Sequence, residues 1–163
     1  MVKYAYIYTE GSKHMEYTVD VSKPVTNPEL VKALSHMRQV KTRESGDAVI
    51  ELIKTAKFLV PIVLNKQPKR NEDGTVTFRD QTMIRFPLLQ NAKKQSYFMA
   101  FTDWDELYKW SSGQDQTTAV FELKDYWDLL EGPNNEGAAG VVINPYGGNL
   151  TLTHDMLRAL LKR

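Results

Sequence analysis

The sequence predicts an α+β fold: a single domain, residues 1–163, in which helices pack on a mixed β-sheet, plus an N-terminal β-hairpin. A chain of 163 residues is of ordinary domain size and buries a sufficient core without disulfides or metals. Strand-like apolar runs alternate with segments whose apolar residues recur at helical spacing. The run FLVPIVL, residues 58–64, is apolar at every position, which indicates a strand covered on both faces.

The N-terminal segment, residues 1–22, is typical of a β-hairpin that precedes a main domain of residues 28–163. Residues 3–9 are rich in tyrosine, Gly-Ser-Lys provides a turn, and residues 15–21 form the returning strand. We therefore expect these two strands to pair with each other.

Two helices are predicted next. Asn27 is expected to cap the first, because Pro28 stands at the first helical position and apolar residues then recur at helical spacing. An apolar stripe predicts the second helix over residues 45–56. In the strand that follows, Pro61 cannot donate a ladder hydrogen bond, so we expect a bulge or a partly unpaired segment there.

The remaining elements alternate between strands and helices. Strands are predicted at residues 75–80, 83–89, 97–101, 118–123 and 137–143. Helices are predicted at residues 103–110, at residues 125–130 with Gly132 at the end, and from about His154. Residues 58–64, 97–101 and 141–143 are expected inside the sheet, because they are the most continuously apolar runs.

The order of these segments resembles a known family. FLVPIVL is followed by IRFPLL, then YFMAFTDWDEL, and finally VVINPYGGNLTLTHDML. From about Pro28 onward the chain resembles the N-terminal domain of the SseB family, bacterial proteins named for an effect on serine sensitivity. The most specific matches are FTD at residues 101–103, and NP at 144–145 followed by Gly147 and Leu150. The resemblance implies a fold but no established enzymatic reaction. The N-terminal hairpin and the missing second domain of longer members depart from the family pattern.

Composition and charge argue against several functional classes. The absence of cysteine excludes disulfides, thiolate zinc sites and cysteine nucleophiles. A net charge of +1 lacks the basic excess that is typical of nucleic-acid binders. The N-terminus lacks the apolar core of a signal peptide, and no apolar run approaches the roughly 20 residues of a membrane span. We therefore expect a cytoplasmic protein with no nucleic-acid and no membrane partner.

The sequence contains no recognisable catalytic motif. Phosphate-binding loops, dinucleotide-binding glycines and the nucleophile elbow are all missing, and the three histidines share no metal-ligand spacing. Asp103, Asp105 and Glu106 are the densest carboxylates, which allows an interpretation as acid–base groups or magnesium ligands. The competing interpretation makes Thr102 a helix N-cap with Asp105 as its capping-box partner. We predict no catalytic residues, no metal and no cofactor.

Aromatic residues point to a partner surface. Nine of the seventeen lie between Tyr97 and Trp127. Trp110 and Trp127 each lie roughly a third of a turn off the apolar stripe of their helix. Either the stripes are wide and both tryptophans pack at the margins, or the two side chains form an exposed patch for a protein partner or a second copy.

The turn at residues 144–149, NPYGGN, allows two interpretations. It is a tight connection between elements, or it lines a shallow groove with the FTD turn, because turns after parallel strands gather at one sheet edge. The predicted groove residues are Thr102, Asp103, Trp104, Asn144, Tyr146 and Gly147. In the groove hypothesis Tyr146 is accessible and makes the contact, while Asn144 is structural.

Two classes of function remain open. The first is a non-catalytic interaction or regulatory module, which binds a protein partner or associates with itself. The second is a small-molecule binder or weak enzyme that uses a cleft between the turns at residues 101–104 and 144–149.

Overall fold

The computed structural model describes residues 3–8, 25–72, 76–77, 81–114 and 116–162. The helices are α1 Pro28–Gln39, α2 Arg43–Ile53, α3 Trp104–Ser111, α4 Leu123–Glu131 and α5 His154–Leu161. The strands are β1 Lys3–Tyr8, β2 Phe58–Pro61, β3 Val63–Leu64, β4 Lys69–Arg70, β5 Val76–Thr77, β6 Met83–Gln90, β7 Ser96–Ala100, β8 Thr118–Phe121, β9 Gly140–Ile143 and β10 Leu150–Thr153. These elements form the α+β fold with a mixed sheet that the sequence predicts.

The main sheet has six strands in the order β1-β6-β7-β9-β10, with β3 also paired to β6. Its strand pairs are antiparallel except for β7 and β9, which run in the same direction with Ala100 opposite Ile143. The carboxyl ends of β7 and β9 therefore lie side by side at one edge of the sheet. The segments that follow these two strands start next to each other.

Residues 58–64 form two strands rather than one. β2 pairs with β8, whereas β3 pairs with β6. The expected interruption at Pro61 falls one residue later, at Ile62, whose N–H donates to the carbonyl of Thr117 at 2.9 Å. Leu59 and Phe101 exchange backbone hydrogen bonds of 2.9 and 3.0 Å, which join β2 to the end of β7. The apolar run is therefore a link between two sheets.

Two apolar clusters cover the opposite faces of β7. Phe98 and Ala100 belong to the larger cluster, which includes buried side chains of α1, α2, α4 and α5. Met99 and Phe101 belong to the smaller cluster, under α3. Tyr126 of α4 is fully buried and its hydroxyl donates to the carbonyl of Met99 at 2.9 Å. Burial raises the pKa of Tyr126 well above 10.0, so the phenol stays neutral.

The predicted and observed elements differ at the start of α2, and two further predictions fall on residues that the structure does not describe. α2 begins at Arg43, ahead of the predicted start, because Thr42 and Ser45 form a reciprocal capping box with two 3.2 Å hydrogen bonds. The predicted returning strand at residues 15–21, and most of the strand at residues 75–80, lie outside the described residues.

None of the helices in the described ranges has the length and apolar character of a membrane-spanning helix.

Candidate interaction site

Three segments meet at the carboxyl edge of β7 and β9. The FTD turn leads from β7 into α3, and residues 144–149, here called the hairpin turn, join β9 to β10. Helix α1 is the third segment, since Asn27 before its first turn bonds to the FTD turn and Arg38 in its last turn lies beside the hairpin turn. The parallel β7–β9 pair brings the two turns together, as the sequence predicts.

Asn144 fixes the hairpin turn. Its backbone is left-handed, with φ of 51°, a conformation that asparagine tolerates better than most residues. Its side-chain Oδ1 accepts from the N–H of Thr102 at 3.1 Å, and its Nδ2 donates to Thr102 Oγ1 at 3.0 Å. Its carbonyl accepts from the N–H groups of Gly147 and Asn149, both at 2.9 Å. Asn144 is only 4% exposed, so its role in the fold is structural.

Helix α3 is capped by Asp103, whose Oδ1 accepts from the N–H of Glu106 at 2.9 Å. Thr102 donates its hydroxyl to Asp103 Oδ2 at 2.8 Å and is itself fully buried. The prediction that Thr102 is the N-cap and Asp105 its capping-box partner is therefore wrong. The Thr102 hydroxyl accepts from Asn144 and donates to Asp103, and the N-cap of α3 is the next residue, Asp103.

Asn27 occupies the N-cap position of α1 but makes no side-chain capping bond, which contradicts its predicted role. Its Nδ2 instead donates to the carbonyls of Lys57 and Thr102, at 2.9 and 2.7 Å. From there α1 runs for 12 residues, or about 18 Å. In its last turn, Arg38 lies beside the hairpin turn: a Cβ added to Gly148 would be 3.9 Å from the guanidinium Cζ.

Glu106 of α3 packs against the other glycine of the hairpin turn. A side chain on Gly147 would collide with the Glu106 carboxylate. The Oε1 atom of Glu106 accepts from Lys109 Nζ at 2.6 Å, while Oε2 is buried and has no hydrogen-bond partner in the described part of the chain. The hairpin turn is thus flanked by the Glu106 carboxylate, which is ion-paired with Lys109, at Gly147 and by the Arg38 guanidinium at Gly148.

Tyr146 projects from this turn and is 55% exposed, the largest value among the exposed large apolar side chains of the described residues. Trp104, at the start of α3, is half-buried and packs on Tyr108 with 5.6 Å between ring centroids. The structure therefore brings together the predicted residues of both turns. Thr102 and Asn144 are buried, so they act on any partner only by positioning the turn.

Trp110 and Trp127 do not share a surface. Trp110 packs on Phe101 in the smaller cluster, with 6.2 Å between ring centroids. Trp127 lies against the larger cluster on the opposite face and stacks on His154 at 4.7 Å. Both tryptophans are half-buried. They do not form one patch with each other, and each has a packing role on its own face.

Sequence reasoning missed Asn27, Arg38 and Glu106 as parts of this edge. Asn27 carries the local signal of an N-cap, and Arg38 that of a basic residue in the last turn of a helix. Glu106 is one of several acidic residues in the first turn of α3. Each of the three residues fits a role at the end of its own helix, so the sequence pattern does not indicate its proximity to a distant turn.

The family comparison accounts for most of the chain. The profile of the SseB protein N-terminal domain matches residues 30–159. The chain belongs to the SseB family. The resemblance inferred from the motifs is thereby confirmed. No curated protein and no solved structure matches the chain. The SseB match begins inside α1 and ends inside α5, so it contains both turns and Arg38, whereas Asn27 and β1 precede it.

Proposed function

We propose that this SseB-family chain is a non-catalytic interaction module that binds a protein partner through the surface around Tyr146. The observation that supports the proposal is a 55% exposed tyrosine on a turn whose backbone is held by hydrogen bonds of Asn144. Tyrosine is enriched among the residues that dominate binding energy at interfaces. A contact residue on a fixed turn loses little conformational freedom on binding, which favours affinity.

The polar groups at this edge support binding rather than catalysis. Asp103 is used to cap α3, and Glu106 is paired with Lys109. The turns at residues 101–104 and 144–149 are joined directly by the two Asn144–Thr102 hydrogen bonds. These bonds engage polar groups of Thr102 and Asn144 that the alternative function, a small-molecule cleft, would use to hold its ligand. A contact surface therefore fits the geometry better than a cleft.

An affinity capture from the native cell tests the proposal with three forms of the full chain. Wild type is compared with Tyr146→Ala and with the matched control Met156→Ala, which truncates an apolar side chain of 46% exposure. Met156 lies in α5, which begins at the far end of β10 from the hairpin turn. We expect a protein that wild type and Met156→Ala retain and that Tyr146→Ala loses, with all three forms melting alike.

Two results would contradict the proposal. One is an identical set of captured proteins for wild type and Tyr146→Ala. The other is that Tyr146→Ala unfolds like a core truncation, at about 3 kcal/mol or more, which would make the tyrosine a packing residue. A metabolite that raises the melting temperature of wild type and Tyr146→Ala alike would instead favour the small-molecule alternative.

A further inference from the structure

We infer that the surface around Tyr146 recognises an acidic peptide segment, with a carboxylate on Arg38 and a neighbouring apolar side chain on Tyr146. This inference rests on the proposed function and adds the chemistry of the partner. It is carried by the placement and the pairing state of Arg38.

Arg38 is an exposed cation for which the described part of the chain provides no partner. No described residue forms a hydrogen bond or an ion pair with it, whereas several other exposed cations are engaged. Lys109 binds Glu106, and Lys54 binds Glu51. The guanidinium is planar, permanently charged and able to bind a carboxylate through two parallel hydrogen bonds. Arg38 therefore offers a carboxylate site that the chain itself leaves open.

Two carboxylates at this edge, those of Asp103 and Glu106, already have partners within the chain. Both oxygens of Asp103 accept hydrogen bonds, from Thr102 and from the N–H of Glu106. Glu106 is paired with Lys109 and packs against the opposite glycine of the turn. Arg38 is the charged group beside Gly148 and is positive, so charge complementarity favours an acidic partner.

The turn also sets how close the two contacts lie. Gly148 is two residues from Tyr146 and has no side chain to cover the backbone between the tyrosine and the guanidinium. The inferred segment lies across this glycine, with an apolar side chain on the ring and a carboxylate on Arg38. Recognition of acidic motifs by arginine is a recurrent mode of peptide binding.

Peptides selected from a random display library against the full chain test the inference. Their affinities are measured by fluorescence anisotropy for wild type, Tyr146→Ala, Arg38→Gln and the matched control Arg43→Gln, whose side chain is 92% exposed. We expect selected peptides rich in Asp or Glu beside an aromatic or aliphatic residue. Arg38→Gln should weaken their binding at least about fivefold, the effect should shrink at high salt, and Arg43→Gln should change little.

A charge exchange gives the stronger test. Arg38→Glu should abolish binding of the selected acidic peptide and recover binding when the acidic residue of the peptide is replaced by lysine. If Tyr146→Ala loses binding while Arg38→Gln binds as wild type, the acidic-segment inference is overturned and the proposed function stands. If neither substitution changes binding, or the library yields no binder, the acidic-segment inference is overturned, and the affinity capture with Tyr146→Ala decides the proposed function separately. Equal melting temperatures of all variants establish that the fold is intact.

Discussion

Asn144 and Thr102, 42 residues apart in sequence, bind each other through two hydrogen bonds of 3.1 and 3.0 Å. Both residues are buried, at 4% and 0% exposure. The asparagine amide thus satisfies the backbone N–H and the hydroxyl at the end of β7 while its own backbone turns the chain at the end of β9. The surface around Tyr146 depends on this pair for its shape.

Asn144→Ala is expected to destabilise the fold by about 2–5 kcal/mol. The loss combines a buried donor left without a partner, about 1–3 kcal/mol, with the cost of a left-handed backbone at alanine, about 1–2 kcal/mol. Chemical denaturation monitored by tryptophan fluorescence measures the free energy of unfolding.

Asn149→Ala is the matched control for this substitution. Asn149 has a similar φ of 47°, is exposed and has no side-chain hydrogen bond among those described. It should show only the backbone cost, about 1–2 kcal/mol. Equal losses for Asn144→Ala and Asn149→Ala would show that the hydrogen bonds to Thr102 contribute nothing to stability.

Gly147→Ala and Gly148→Ala are expected to differ, although the two glycines are adjacent. A Cβ at 147 collides with the Glu106 carboxylate, whereas a Cβ at 148 reaches only ordinary contact with Arg38 at 3.9 Å. The Glu106 carboxylate is the far end of a flexible side chain and is able to move aside. Gly147→Ala should therefore cost about 1 kcal/mol, the low end of the range for overpacking, and Gly148→Ala within about 0.5 kcal/mol. Thermal melts of both variants compare the two positions.

Removing the obstructing carboxylate should restore stability. In a double-mutant cycle, Glu106→Ala combined with Gly147→Ala should be more stable than the sum of the single changes predicts, because the added methyl group then has space. Additive effects would show that the collision is not the cause of the loss.

Asp125→Asn is expected to stabilise the protein relative to wild type more at pH 7 than at pH 3. Burial raises the pKa of Asp125 above its ordinary 3.8, an effect that outweighs the hydrogen bond from the N–H of Glu122. The folded state then binds the proton more tightly than the unfolded state, so wild-type stability falls as the pH rises through the Asp125 pKa. Asparagine keeps an acceptor for Glu122 and does not titrate.

Melting temperatures of Asp125→Asn and wild type at the two pH values measure this difference. The relevant quantity is the variant-minus-wild-type difference, because other groups titrate equally in both proteins. A difference that is the same at pH 3 and pH 7, or larger at pH 3, would contradict the assigned direction of the pKa shift.

Backbone amides of β7 and β9 are expected to be the slowest to exchange with deuterium. Both strands have a neighbour on each side in the main sheet, and their side chains are largely buried. Amides of such strands open only at close to the global free energy of unfolding. Native-state hydrogen exchange read by NMR checks this, with the two-residue strand β4 as the fast reference. Rapid exchange in β9 would contradict the assignment of an interior strand.

Local patterns predicted most of the fold. The apolar runs of β7 and β9 and the glycine after α4 were sufficient to place those elements. The convergence of the two turns also followed from the sequence, because strands of the same direction end at the same edge. Exposure of Tyr146 is a condition of the groove hypothesis, and the 55% exposed side chain meets that condition.

Errors arose where a side chain bonds to a distant part of the chain. Asn27 has the sequence context of an N-cap, yet its amide reaches the carbonyl of Thr102, 75 residues away. Thr102 has the same local context, yet its hydroxyl accepts from Asn144. A capping bond competes with any other partner that the fold supplies, and periodicity contains no information about that partner.

The pairing of β1 with β6 bears on the order in which the protein folds during synthesis. β1 is synthesised first among the described elements, but its partner strand β6 lies some 80 residues further along the chain. The amide of Asn27 likewise binds the carbonyl of Thr102, which is synthesised much later. An emerging N-terminal fragment therefore lacks the partner that β1 has among the described strands, and it also lacks the Thr102 contact of Asn27. Such non-local pairing slows folding and leaves strand edges exposed on the ribosome until most of the chain has been translated.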